Sequence, residues 1–311
     1  MLKKNKVVVI VGPTASGKTS LAIHLAQLFN GEIISADSMQ VYKGIEIASA
    51  APTEEEKCGI KHYLISFLEP NEQYSVCDFV NDANKKIIEI TNNGKLPIIV
   101  GGTGLYIDSL LQNIDFGEDT KSSIRDELNN KADKLGLDAL YQELKSVDID
   151  AYNRIEANDK KRIIRALEVY YSTGETITSR NQRSRLNESN INPIIFGINY
   201  ADRNDLYERI NKRVDIMAQN GLVNEAQNAY LSPKFKGAKY AIGHKELFPY
   251  FKGDISLADA LENLKMQTRR YAKRQITWFK RNENIIWLEP NTEHFKTKAE
   301  EYIREFIRKE Q

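Results

Sequence analysis

The chain alternates between continuous apolar runs and stretches with helical spacing. "KVVVIV", ending at Val11, is rich in β-branched residues and has no polar alternation, which predicts a strand covered on both faces. Leu21, Leu25 and Leu28 then recur at helical spacing up to Gly31. "EIISAD" predicts a second strand. Val76, Phe79, Val80, Ala83, Ile87 and Ile90 form one stripe of a helix that Gly94 ends, and "LPIIVGGT" predicts a third buried strand. Strand, loop, helix and strand in this order predict a parallel sheet of the doubly wound type. From about Asp115 to Asn190 strand character is missing, and "SSIRDELNNKADKLG", "LDALYQELKSVD" and "NDKKRIIRALEVYYSTG" read as helices. Sheet character returns at "NPIIFGINYA", and the remainder is helical apart from a short strand at "NIIWLE". The expected fold class is α/β: a parallel-sheet core at 1–114 and 191–311, interrupted by an all-helical insert at 115–190.

Composition narrows the possibilities. Apolar residues make up 41% and charged ones 28%, an ordinary globular balance. Lys plus Arg number 44 against 43 Asp plus Glu, so any surface for nucleic acid has to be a local patch. Cys58 and Cys77 make no disulfide framework, and four His offer no zinc spacing; two packing thiols in a reducing cytosol are expected. The first apolar run is too short for a membrane span and meets Gly-Pro where a leader would need a cleavage site. A cytoplasmic protein, with monomer as the default state, is the expectation.

The loop after the first strand carries the first chemistry. Gly12 and Gly17 bracket Pro13, Thr14, Ala15 and Ser16, and Lys18 and Thr19 follow. This is G-x-x-x-x-G-K-[ST] between a buried strand and a helix, the context in which that motif binds phosphate and makes the core P-loop NTPase-like. The glycines let backbone N–H groups face phosphate oxygens, and the helix N-terminus adds its dipole. Lys18 supplies charge, and the Thr19 hydroxyl can ligate Mg²⁺. A di- or triphosphate binds there; the motif does not say which.

Two further loops end neighbouring strands, where open α/β sheets bind ligands. In "SADSMQVYKG", Asp37 reads as an acid holding Mg²⁺ through water, as a base facing an acceptor, or as part of a polar turn. In "GGTGLYIDSLL", Gly101, Gly102 and Gly104 around Thr103 allow close backbone approach or serve a strand-to-helix turn. Three such loops at successive strand ends favour one common pocket.

"GPTASGKT", "SADSMQVYKGIEI", "EPNEQYSVCDF", "GGTGLYIDSLL", "NDKKRIIRALEVY", "AIGHKE" and "TRRYAKRQITWF" occur in this order. Together, from about Val7 to about Leu288, they resemble the bacterial tRNA dimethylallyltransferase family, also called tRNA isopentenyltransferases. The resemblance implies transfer of a dimethylallyl group from its diphosphate to N6 of the adenosine 3′ of the anticodon in tRNA. The phosphate loop would then hold an isoprenoid diphosphate, with Mg²⁺ as cofactor, and ATP would not be consumed. Lys18, the loop amides and the metal would neutralise the leaving diphosphate. Asp37 would orient the amine and take its proton. The resemblance places Thr103 at the junction of diphosphate and acceptor and Arg213 on the diphosphate. It assigns Asp37, Ser38, Met39, Gln40 and Thr103 to the tRNA. Arg125 and, in the "KYAIGHKE" segment, Tyr240, Gly243, His244 and Lys245 follow by the same resemblance; the family usually has tyrosine where this chain has His244.

An extruded base in an anticodon stem-loop needs positive charge around its backbone. In "NDKKRIIRALEVYYSTG", Lys161, Arg162 and Arg165 fall within about 100° of helical arc. Ile163, Ile164, Leu167, Tyr170 and Tyr171 fall on the opposite side, although the whole run from Lys161 to Arg165, Ile163 and Ile164 included, is carried as a tRNA-binding segment. In "RRYAKRQITWFKR", Arg269, Arg270, Lys273, Arg274, Lys280 and Arg281 lie within about 140°. Arg270, Lys273 and Arg274 are the expected contacts there, with Trp278 and Phe279 in the core. Rival readings are an ATP-dependent kinase of a nucleoside or small metabolite, a prenyltransferase of free AMP or ADP, and a non-catalytic RNA-binding module. The kinase has no need for "DSMQVY" or the terminal basic helix.

Overall fold

The β-branched runs pair with one another in parallel, because strands apolar on both faces need helices on both faces. The computed structural model describes residues 4–114, 122–184, 189–235 and 241–309. In chain order its elements are β1 (Asn5–Val11), α1 (Lys18–Leu28), β2 (Gly31–Ser35), α2 (Glu54–Lys57), β3 (His62–Tyr63), α3 (Val76–Asn92), β4 (Leu96–Gly101) and α4 (Gly104–Leu111). There follow α5 (Ser122–Leu135), α6 (Leu137–Val147), α7 (Ile149–Arg154), α8 (Lys160–Thr173) and α9 (Ile177–Ser184). The chain then continues through β5 (Ile191–Ile198), α10 (Arg203–Gln219), α11 (Leu222–Leu231), α12 (Phe248–Phe251), α13 (Leu257–Phe279), β6 (Ile286–Leu288) and α14 (Phe295–Arg308).

The sheet order is β3-β2-β4-β1-β5-β6. β1 lies between β4 and β5, with Val9 opposite both Ile99 and Ile195. Strand order therefore reverses at β1, and its carboxyl end is the crevice where such sheets receive ligands. The register brings Val11 beside Gly101 and Gly197, and Ser35 beside Val100. So the loops after β1, β2 and β4 start from one edge. Val8, Ile10, Leu21, Leu25, Ile98, Phe196 and Ile198 are fully buried in the main core, each side chain contributing about 1.5–3 kcal/mol.

A few positions depart from the sequence pattern. Leu28, in the last turn of α1, is 43% exposed, although it shares the spacing of buried Leu21 and Leu25. Cys58, expected as a packing thiol, is exposed, at the left-handed end of α2. β3 has two residues and no period to read; its Tyr63 hydroxyl donates to Glu32 Oε2 at 2.8 Å.

Contacts divide the chain into two compact units, one of Met1–Leu111 with Asn190–Gln311, the other of Gln112–Ser189. The second contains α5–α9 around Leu128, Leu140, Leu144, Ile163, Ile164 and Leu167. α7 and α9 are additional to the helices the spacing predicted. Asp148 ties them in: it caps α7 through Ala151 N–H at 2.9 Å and accepts from the Thr178 hydroxyl of α9 at 2.8 Å.

Candidate active site

Every element of the phosphate loop has a geometric reason. A side chain at Gly12 would place Cβ 2.8 Å from Ile198 O, and Gly12 has φ 146°. Gly17, at φ 94°, is the N-cap of α1 and provides no capping side chain. The first N–H groups of α1 are thereby left for a ligand. The Lys18 ammonium donates to Pro13 O at 2.6 Å. Burial, and after it the neighbouring Arg213 guanidinium, lowers the Lys18 pKa to about 7, against a smaller opposing pull from Asp37. The buried Ser16 hydroxyl has no protein partner.

α10 and α13 hold the loop from outside. Arg209 Nε donates to Ala15 O at 3.0 Å, and Arg213 donates to the Thr14 hydroxyl at 3.3 Å and to Ala50 O at 3.4 Å. Thr14 N–H donates to Gln275 Oε1 at 2.9 Å, while Gln275 Nε2 donates to Gly102 O at 3.0 Å. Gln275 thus ties the phosphate loop to the β4 turn. Sequence reasoning missed it, although it is the uncharged polar member of "AKRQITWF". The same helix explains the glycines of that turn. A Cβ on Gly102 would lie 2.0 Å from Gln275 Nε2, and one on Gly104 2.3 Å from Trp278 Cδ1. Their smallness serves packing against α13.

In the loop after β2, Asp37 Oδ1 accepts Met39 N–H at 2.9 Å, which leaves Oδ2 for another donor. Thr103 Oγ1 accepts Ser38 N–H at 3.1 Å and so fixes the residue beside Asp37. Gln40 was expected on the tRNA, but both ends of its amide are bonded to protein. Its Oε1 accepts from the Ser35 hydroxyl at 2.7 Å, and its Nε2 donates to Ser49 O and Ala50 O at 3.3 and 3.2 Å.

A buried network braces the strand of chain that follows. Glu225 accepts Ile47 N–H at 2.8 Å, Ala48 N–H at 2.9 Å and His244 Nε2 at 2.9 Å. A carboxylate only accepts, so Nε2 carries the proton. His244 is fully buried, and a Cβ on buried Gly243 would touch Ala48 Cβ at 3.0 Å. Both were expected on tRNA; burial corrects that, and they support the 47–50 segment from behind. Glu225→Ala strands two backbone N–H groups and one imidazole N–H. It is expected to lower unfolding free energy by at least about 2 kcal/mol, read by urea denaturation; an unchanged midpoint counts against the brace.

These loops enclose a cavity of about 310 Å³. Thr14, Lys18, Thr19 and Arg213 line one part of it, and Asp37, Ser38 and Met39 another. Thr103 acts on this wall through Ser38 and is outside the lining. Tyr271 of α13 also lines the cavity and was not foreseen. Burial first, and then the Asp37 charge, raises its phenol pKa well above the ordinary range. Among the described residues no three His, Cys, Asp or Glu cluster as a metal site. Thr19 and Asp37 are hard oxygen donors on one cavity, a set that fits Mg²⁺ completing its shell with substrate oxygens and water.

The expected RNA contacts divide. In the helical unit Lys161 and Arg162 are exposed, whereas Ile163 and Ile164 are core residues, 0% and 5% exposed. Their place in a tRNA-binding run is corrected by the apolar stripe they belong to. Arg125 and Arg165 both reach buried Glu168 Oε2, at 2.8 and 3.0 Å. On α13, Arg270, Lys273 and Arg274 are exposed, and Arg269 is bonded to Asn211. α13 stops at Phe279, so Lys280 and Arg281 lie beyond its basic face. Lys245 is exposed beside buried Glu246. Tyr240 lies outside the described residues.

A family model described as IPP transferase matches residues 40–282, and one described as isopentenyl transferase matches 5–73. The chain belongs to the IPP transferase family. The tRNA dimethylallyltransferase of Acetivibrio thermocellus is 48% identical over 287 residues, 91% of either chain. That of Bacillus subtilis is 44% identical over 288 residues, 92% of this chain and 91% of the other. Among solved structures, a tRNA delta(2)-isopentenylpyrophosphate transferase from Staphylococcus epidermidis superimposes with TM-score 0.71 at 44% identity, covering 98% of this chain and all (100%) of that one. A eukaryotic dimethylallyltransferase acting on tRNA reaches TM-score 0.81 at 31% identity, over 97% of this chain and 79% of that one. Membership of the IPP transferase family removes the kinase reading of the phosphate loop. No helix among the described residues is long and apolar enough to cross a membrane.

Proposed function

We propose that the protein transfers a dimethylallyl group from dimethylallyl diphosphate to N6 of the adenosine 3′ of the anticodon in tRNA, releasing diphosphate. The observation that carries this reading is one cavity that joins a phosphate loop to Asp37. Relatives named tRNA dimethylallyltransferase support it. In the reaction the C1–O bond breaks and its electron pair leaves with diphosphate. The N6 lone pair forms the C1–N bond, and the N6 proton passes to Asp37 Oδ2.

Lys18, Arg213 and the amides at the start of α1 bind and neutralise the diphosphate. Mg²⁺ held at Thr19, when bound, adds charge neutralisation there. Thr103 holds Ser38, and with it Asp37, in place. Arg125, Lys161, Arg162 and Arg165 of the helical unit, and Arg270, Lys273 and Arg274 of α13, bind the phosphates of the anticodon stem-loop. The enzyme acts as a monomer in the cytoplasm.

The test pairs two acceptors. Purified protein, Mg²⁺ and labelled dimethylallyl diphosphate are given an anticodon stem-loop with adenosine 3′ of the anticodon and, separately, AMP. Label is expected on the stem-loop and to disappear with EDTA. Label on AMP alone would replace tRNA by a free nucleotide as acceptor.

A further inference from the structure

The cavity continues past the phosphate and acceptor groups into an apolar end. On α10, Ile210, Arg213, Val214 and Met217 line it; on α13, Leu264, Thr268, Tyr271 and Gln275 do. Steps of three and four residues keep each set on one helical face. The two helices run antiparallel, because Arg269 bonds Asn211 at 2.6 Å while Lys265 pairs with Asp215 at 2.8 Å. Moving up α10 is therefore moving down α13. Gln275 marks the phosphate end through its bond to Thr14 N–H, and Arg213 marks it from α10. Met217 and Leu264 come together at the other end.

Met217 follows Arg213 by about one helical turn, about 6 Å. A dimethylallyl chain whose diphosphate sits level with Arg213 spans about 5 Å, at carbon–carbon bonds of about 1.5 Å. Beyond Met217 lies a buried core. Leu264 is 1% exposed and belongs to a core with Val214, Leu222 and Ala260, against which Met217 packs. Such a core does not yield to another five carbons.

We propose that Met217, seated on Leu264, is the floor of the prenyl chamber and limits the donor to one five-carbon unit. This rests on the prenyl-transfer reading. A ten-carbon allylic diphosphate would react by the same bond changes, with C1–O broken, C1–N6 formed and the proton on Asp37. It is refused because its second isoprene unit meets Met217. A long unbranched thioether fills the end of a chamber closely and is shortened to Ala without introducing polarity.

The experiment gives the purified full chain a stem-loop acceptor with dimethylallyl and geranyl diphosphates, separately and in competition, and weighs the RNA products by mass spectrometry. Wild type is expected to add only the five-carbon group. Met217→Ala is expected to raise the ten-carbon to five-carbon ratio of kcat/KM by at least about tenfold, since a missing methylene-sized contact discriminates by about 10–200-fold; Met217→Leu keeps the wild-type ratio. A wild type that accepts both donors, or a Met217→Ala ratio within twofold of wild type, overturns the floor while leaving prenyl transfer intact. A wild type that transfers neither removes the prenyl reading and the floor together. If Met217→Ala is unfolded at the assay temperature, Met217→Val is judged by the same ratio.

Discussion

Asp37→Ala lowers kcat for prenyl transfer to an anticodon stem-loop by about 10²–10⁴-fold. KM for dimethylallyl diphosphate is expected to change by less than about threefold, as for a group that acts in the transition state without gripping the donor. The adenine amine is a weak nucleophile, and its proton has to leave as the C–N bond forms. Asp37 lines the cavity, and Met39 N–H occupies its Oδ1, so the proposed role falls to Oδ2. Asp37→Asn separates orientation from proton acceptance. Its carbonyl can still accept Met39 N–H, yet its amide cannot take a proton. Single-turnover rates of both variants are therefore expected to be equally low, with circular dichroism spectra unchanged. Recovery of more than about a tenth of the wild-type rate in Asp37→Asn would assign Asp37 to positioning alone.

Lys18→Ala is expected to reduce kcat/KM by about 10²–10³-fold, the usual effect of removing one preorganised group from a developing anion. The wild-type lysine also makes donor binding depend on pH in a fixed direction. In the free protein its pKa is lowered to about 7 by burial and Arg213. A bound diphosphate favours the ammonium and raises that value. A group whose bound pKa exceeds its free pKa contributes affinity fully below the free value and loses it as pH rises towards the bound one. Donor affinity should therefore weaken above about pH 7, by up to about tenfold per pH unit, with protons taken up on binding. Calorimetry at pH 8 in buffers of different ionisation enthalpy reads that uptake directly. Lys18→Arg, charged throughout, should abolish it. Absence of proton uptake in the wild type would mean that Lys18 is already charged before the donor arrives.

The amino-acid sequence determined five of the six strands, the phosphate loop and the all-helical character of 122–184, since each rests on patterns a few residues long. A β-branched run excludes water from both faces wherever it sits, and G-x-x-x-x-G-K-T shapes its own backbone. Spacing along one helix likewise separated the exposed Lys161 and Arg162 from Ile163 and Ile164, a separation that overrides their grouping in one tRNA-binding run. The tertiary structure alone decided what each polar side chain does. Gln275 is 261 residues from Thr14 and bonds its N–H; Glu225 is 178 residues from Ile47 and holds its backbone. Gln40 and His244 carry functional-looking groups that bond instead to protein, the Gln40 Oε1 to the Ser35 hydroxyl and the His244 Nε2 to the Glu225 carboxylate. A side chain's donors and acceptors are visible in its letter, but whether they remain available to a substrate depends on which remote groups the fold brings within about 3 Å.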